Sequence, residues 1–180
     1  MVHDSELLDR IDGLPTEPFD GRVFRATRQS LDPLVSSSSG GRWMPGNSAA
    51  GVLYTSLDRN GALAEISFHW SQLSPRPTKP VMVHTLEVIA PRTLKLVRAD
   101  LSALGVPDDS YPTMNMTRTQ EIGAAVEFLG CDGLIAPSAR WPCDNLMLFP
   151  NNMGSSASFE LLSSETVDWL RWATDQGLLK

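Results

Sequence analysis

GRWMPGNSAAGVLYTS, residues 41–56, begins in a glycine-rich turn that carries its own cation and ends in a stretch suited to a strand. The β-branched and aromatic content of residues 52–56, VLYTS, predicts that strand. Asp58, two residues further on, is placed to accept hydrogen bonds from the free N–H groups of a helix that runs to about Leu73. On it Ala62, Leu63, Ile66, Trp70 and Leu73 recur three and four apart and so share one face. Pro75, Pro77 and Pro80 end it. The order turn, strand, helix also removes two candidate chemistries. Gly41–Ser48 has the G-x-x-x-x-G spacing of a phosphate loop, but Asn47 stands where its lysine belongs, and such a loop follows a strand and opens a helix. GNSAAG at 46–51 misses the G-x-S-x-G nucleophile elbow by one residue and lies in the wrong context.

Outward from this unit the chain alternates short elements. Upstream, SELLDRID at 5–12 reads as a short amphipathic helix closed by Gly13 and Pro15, and RVFRATR at 22–28 reads as a strand. Residues 29–51 lack periodicity and contain SSSSGG at 36–41, which by composition alone is a flexible linker. Downstream, VMVHTLEVI at 81–89 alternates cleanly, with a second strand TLKLV at 93–97 behind a Pro-Arg turn. A helix follows over about 117–129, its apolar face marked by Ile122, Ala125, Val126 and Leu129. Strands are predicted at 133–138, 145–150 and 159–163, and a last helix over about 165–176, stopped by Gly177, with Trp169, Leu170 and Ala173 on its core face. Strands in bunches with helices between them argue for an α+β fold around a mixed or antiparallel sheet.

The 180 residues, 42% of them hydrophobic, suffice for one core and are short for two, so a single domain is expected: an N-terminal segment, 1–20, and the main body, 18–180. Fifteen Lys and Arg against 21 Asp and Glu leave a net charge of −6, which disfavours binding of nucleic acid or an anionic membrane by the surface as a whole. An anionic ligand must then be gripped by a local group of arginines. Cys131 and Cys143 form no C-x-x-C pair and fit reduced thiols in the cytoplasm, and with no basic start, apolar h-region or long apolar run, neither export by an obvious signal nor a membrane span is expected. His3, His69 and His84 are far apart in sequence and show no metal-ligand spacing, so no metal is expected; His69 reads as a helix-face residue beside Trp70.

What survives is Arg22, Arg25, Arg42, Tyr54 and Glu65, all in the first part of the chain. Arg22 and Arg25 are three apart on one strand and point to opposite faces, so the sequence leaves open which of them meets a pocket. Glu65 lies in ALAEISF, among apolar neighbours that partly desolvate it and favour a cationic partner.

RVFR at 22–25, GGRW at 40–43, VLYTS at 52–56 with ALAE at 62–65, and LIAPSARW at 134–141 together resemble the RES domain family, over roughly residues 18–155. The chain departs from the family in two places: Met44-Pro45-Gly46-Asn47 where an asparagine usually follows GRW directly, and Gly21 where an aromatic is common. The resemblance implies a fold like that of ADP-ribosyltransferases and an enzyme that degrades NAD+, as glycohydrolase or phosphorylase, in the role of a bacterial toxin restrained by an Xre-like antitoxin. NAD+ is then the substrate and inorganic phosphate a possible co-substrate. It also implies roles: Glu65, Tyr54, Arg22 and Ser138 in catalysis, and Arg42, Arg25 and Trp43 in substrate binding. Two alternatives remain open at this stage, an ADP-ribosyltransferase acting on a protein and an inactive RES-like binding module, as does homo-oligomerisation.

Overall fold

A computed structural model describes residues 3–46 and 48–179. Asn47 lies outside the described residues. The elements run α1 (Ser5–Asp12), β1 (Thr16–Arg28), β2 (Leu53–Ser56), α2 (Arg59–Ser71), β3 (Val81–Lys95), α3 (Arg98–Ala103), α4 (Thr117–Phe128), β4 (Gly133–Pro137), β5 (Asp144–Leu148), β6 (Ser158–Val167) and α5 (Trp169–Asp175). This is a single α+β domain around one six-stranded mixed sheet. Among the described residues no helix is long and apolar enough to cross a membrane.

The pairings close on themselves. β1 pairs β3 antiparallel from Thr16 opposite Leu94 to Arg28 opposite Val81, β3 pairs β4 in parallel, β4 pairs β5, β5 pairs β2, and β2 returns to β1 where Phe24 meets Ser56. β6 adds to the outer edge of β3. Every strand of this circuit sends a side chain to one apolar cluster: Val23, Leu53, Leu86, Ile135 and Leu146 are buried there. A second cluster, containing Leu7, Ile11, Ile122, Ala125, Val126, Leu134 and Met147, packs α1 and α4 on β4 and β5. A third packs α2 and α5 on the start of β3 through Leu63, Val81, Val83 and Trp169.

Several boundaries differ from the sequence expectation, each for a local reason. β1 starts at Thr16 and so runs through the expected boundary near residue 20. β3 is one strand of 15 residues, where two strands and a Pro-Arg turn were expected. The register between β1 and β3 slips by one between Glu17 and Phe19, so Pro91 and Arg92 stand opposite Pro18 at a β-bulge, a place where the ladder needs no proline N–H. The last helix begins at Trp169, not near 165, because Glu165, Thr166 and Val167 pair with Val83, Met82 and Val81 in β6. Asp168 is its N-cap, accepting from the Arg171 N–H at 3.1 Å. α2 ends at Ser71, leaving Leu73 exposed beyond it. The short helix α3 is absent from the sequence expectation.

Among the described residues of 29–51 there is no named strand or helix, yet the segment is tied down. Ser37 bridges Val52 through two backbone hydrogen bonds of 2.8 and 3.0 Å, and Gly41 bridges Met44. Trp43 and Met44 are core residues, each 2% exposed, which a free linker would not bury.

Candidate active site

Glu65 is presented by α2, whose start is fixed by the Asp58 carboxylate accepting from the N–H groups of Asn60 at 2.7 Å and Gly61 at 3.1 Å. It faces the hairpin between β4 and β5. There the Ser138 hydroxyl donates to Glu65 Oε1 at 2.7 Å and the Asn145 side-chain amide donates to the same oxygen at 2.9 Å. The direction of the serine bond follows from its other partners. Ser138 Oγ accepts from the backbone N–H groups of Arg140 at 3.1 Å and Trp141 at 3.2 Å, so its one proton is left for Glu65. Among the described residues both donors serve Oε1 and none serves Oε2.

Glu65 borders a cavity of about 380 Å³, closed on other sides by Tyr54, Arg42, His69, Arg25 and Asn145. The glycine-rich turn forms one wall and is pressed tightly against its neighbours. A Cβ on Gly41 would stand 2.7 Å from the Tyr54 hydroxyl oxygen, and one on Gly123 in α4 would overlap the Trp43 carbonyl. Gln120, one turn earlier on α4, donates to the Gly41 carbonyl at 2.9 Å. The turn is thus docked on α4, and Arg42 leaves it from a fixed base.

Two guanidinium groups share the field of Glu65. Arg42 donates to the carbonyls of Tyr111 at 2.6 Å and Thr113 at 3.2 Å, and lies over the Tyr111 ring, 5.0 Å from its centroid. Arg140 donates to the Pro112 carbonyl at 2.8 Å and stacks on Phe68 at 3.4 Å. Burial lowers the pKa of both; Tyr111 and Glu65 draw Arg42 back up against Arg98, while Arg42 presses Arg140 further down and Glu65 draws it up. His69, one turn beyond Glu65 on α2, stands at the cavity rim. Desolvation and the two arginines hold its pKa below the ordinary value against the pull of Glu65, which favours a neutral ring at neutral pH.

The structure brings Glu65, Ser138, Arg42 and Tyr54 together. The Tyr54 hydroxyl is buried without a well-formed hydrogen bond among the described residues, and burial pushes its pKa up to about 12 against the pull of the Trp43 and Met44 N–H groups. Arg22 and Arg25 separate. Val23 is fully buried, and strand alternation then turns Arg25 inward at 7% exposure and leaves Arg22 exposed, outside the cavity wall. The catalytic position expected for Arg22 is therefore not where the strand puts it. Arg25 donates to the Val35 carbonyl at 2.9 Å, its Nη1 has no partner, and burial lowers its pKa to about 10. Its charge meets Asp32 and His84, and it lines the same cavity as Glu65. Trp43 borders the cavity, but its ring is packed in the core beside Tyr111, with centroids 6.4 Å apart.

Asn145, Arg140, His69 and Tyr111 are parts of this site that sequence reasoning missed. For His69 the signal was present, since residues four apart on a helix share a face and Glu65 was already singled out. Arg140 stood in LIAPSARW, two residues after Ser138. Asn145 and Tyr111 carry no local signal, because β-pairing and a long loop bring them in.

Comparison with known proteins agrees with this architecture. No curated protein sequence matches the chain. Among solved structures, a chain of the M. tuberculosis MbcT–MbcA toxin–antitoxin complex superposes with a TM-score of 0.79 at 18% identity, covering 95% of this chain and 97% of that one. At that identity the likeness is one of fold. The family model of the RES domain matches residues 3–169, nearly the whole chain and more than the 18–155 that the motifs suggested. The chain belongs to the RES domain family.

Proposed function

We propose that this protein cleaves the nicotinamide–ribose bond of NAD+. The observation that carries the reading is the Glu65 carboxylate, held on one oxygen by Ser138 and Asn145 at the wall of a cavity flanked by Arg42. Breaking that bond builds positive charge on the ribose, as in glycoside hydrolysis, and nicotinamide leaves as a neutral group, so the transition state calls for a fixed carboxylate more than for a general acid. With Oε1 already engaged by two donors, Glu65 is oriented before the substrate arrives, and Oε2 is the oxygen left to face the ribose. Arg42 grips the diphosphate with the N–H groups it does not give to the loop. The cavity volume, about 380 Å³, lies in the range of small-ligand sites, roughly 300–1,000 Å³, and suits the nicotinamide riboside half of the molecule.

The role in the cell that goes with this reading is that of a cytoplasmic toxin held by an Xre-like antitoxin. It is supported by family membership and by a fold neighbour that is part of a toxin–antitoxin complex. The purified protein is to be incubated with NAD+, with and without phosphate, and the products identified by mass spectrometry. Free nicotinamide with ADP-ribose identifies hydrolysis, and nicotinamide with ADP-ribose-1″-phosphate identifies phosphorolysis. Intact NAD+ under both conditions, with the protein folded, contradicts the proposal.

A further inference from the structure

The segment 111–113 touches both halves of the site and has no role in the reaction as described so far. Its three carbonyls hold the two arginines: Tyr111 O and Thr113 O accept from Arg42, and Pro112 O accepts from Arg140. Tyr111 itself is 1% exposed. Its hydroxyl donates to the carbonyl of Pro137, the residue before Ser138, and both Arg42 and Arg98 lie over its ring, at 5.0 and 4.0 Å.

The choice of partner matters electrostatically. Among the described residues neither Arg42 nor Arg140 has a carboxylate within 4.0 Å, although surface arginines such as Arg59 and Arg118 do. Main-chain carbonyls orient a guanidinium without neutralising it. Two positive groups are thereby held by one strap, Arg42 at the wall of the Glu65 cavity and Arg140 over Phe68 at the wall of a second, smaller cavity of about 80 Å³, with charge left over for an anion. Each guanidinium has five N–H donors, so bonds to the loop leave donors free.

We propose that the 111–113 strap is the positioning element of the active site. It sets Arg42 and Arg140 as a paired seat for a diphosphate, and through the Tyr111 hydroxyl it fixes the end of β4, hence Ser138 and the Glu65 carboxylate. Arg140 is then a ligand-binding residue and Tyr111 a positioning residue. The substrate class is a dinucleotide with a central diphosphate, and this part rests on the reading of the site as an NAD+-cleaving one.

The two functions separate in kinetics. Tyr111→Phe keeps the ring and the backbone carbonyl and removes only the tether to Pro137, so kcat is expected to fall about tenfold with KM within about twofold. Arg140→Gln loses half the seat, so KM for NAD+ is expected to rise about tenfold with little change in kcat. ADP, which has the diphosphate but no scissile bond, is titrated calorimetrically into the wild type and Arg140→Gln. Binding weakened about tenfold in the variant supports the seat. Equal binding to both proteins, or none to either, overturns it whether or not the protein cleaves NAD+. ADP binding that depends on Arg140 in a protein that leaves NAD+ intact sinks the proposed reaction and keeps the seat. A Tyr111→Phe protein that melts earlier but keeps the wild-type kcat reduces Tyr111 to a structural residue and overturns the coupling.

Discussion

Ser138 gives its only proton to Glu65 and receives two from the backbone, so each of its hydrogen-bonding positions is committed. Ser138→Ala therefore removes one of the two donors on Oε1 and strands two N–H groups. Turnover of NAD+ is expected to fall on the order of a hundredfold while stability drops by about 1–3 kcal/mol. A coupled nicotinamide-release assay and urea denaturation measure the two effects separately. Tyr54 shows the opposite balance. Its hydroxyl is buried without a well-formed hydrogen bond among the described residues, so Tyr54→Phe is expected to leave the protein as stable at pH 7 or more so, by up to about 1 kcal/mol. A phenol whose folded pKa lies near 12, above its ordinary 10, supplies stability in full below pH 10 and loses it as the pH rises toward 12. Denaturation at pH 9 and pH 11 should then show a shallower alkaline loss for Tyr54→Phe than for the wild type; an equal or steeper loss contradicts the burial of a neutral phenol. Glu65 and Tyr54 were legible in the sequence because each stands inside a predictable element. Which arginine of the first strand turns inward was not, since alternation separates Arg22 from Arg25 without saying which face is covered.

At the level of elements, the reading of 41–56 decided most of what positions Glu65. A β-branched strand, an aspartate cap and a helix with apolar residues three and four apart follow from local chemistry, and α2 starts where Asp58 predicts. What local chemistry could not give was the partner of each element. Pro91 signals a turn by itself, but opposite Pro18 it becomes a bulge in an unbroken β3. Residues 165–167 fit a helix start until β3 offers them a ladder. The glycine-rich turn likewise looked free, because its anchors, Gln120 and Gly123, lie on α4 some 80 residues away. Its dependence on α4 is testable: Gly123→Ala forces the Trp43 carbonyl to move and is expected to destabilise the fold by about 1–3 kcal/mol, with a rise in KM as Arg42 shifts. Thermal unfolding and steady-state kinetics on the same preparation check this, and an unchanged melting temperature would show that the turn does not rest on the helix as described.

Across the whole molecule, the closed circuit of five strands explains why residues so distant in sequence converge. β2 and β5 are neighbours, so Asn145 lies opposite Ser56 at the mouth of α2, and the β4–β5 hairpin returns Ser138 to the same place. The net charge of −6 disfavours polyanions over the surface as a whole, and under the proposed function Arg42 and Arg140 supply the local positive charge for a small anion. The fold class was readable from the order of elements; the closure of the circuit was not, because it runs through a single ladder pair, Phe24 with Ser56, and through β3 changing partners along its length. In the proposed reaction Glu65, oriented by Ser138 and Asn145, stabilises the charge that forms on the ribose of NAD+. The measurement that meets this proposal most directly is nicotinamide release from NAD+ by the wild type and by folded Glu65→Gln. Release by the wild type, reduced on the order of a thousandfold in the variant, is the predicted result. Equal rates from both proteins, or no release from a folded wild type with either water or phosphate as acceptor, would contradict it.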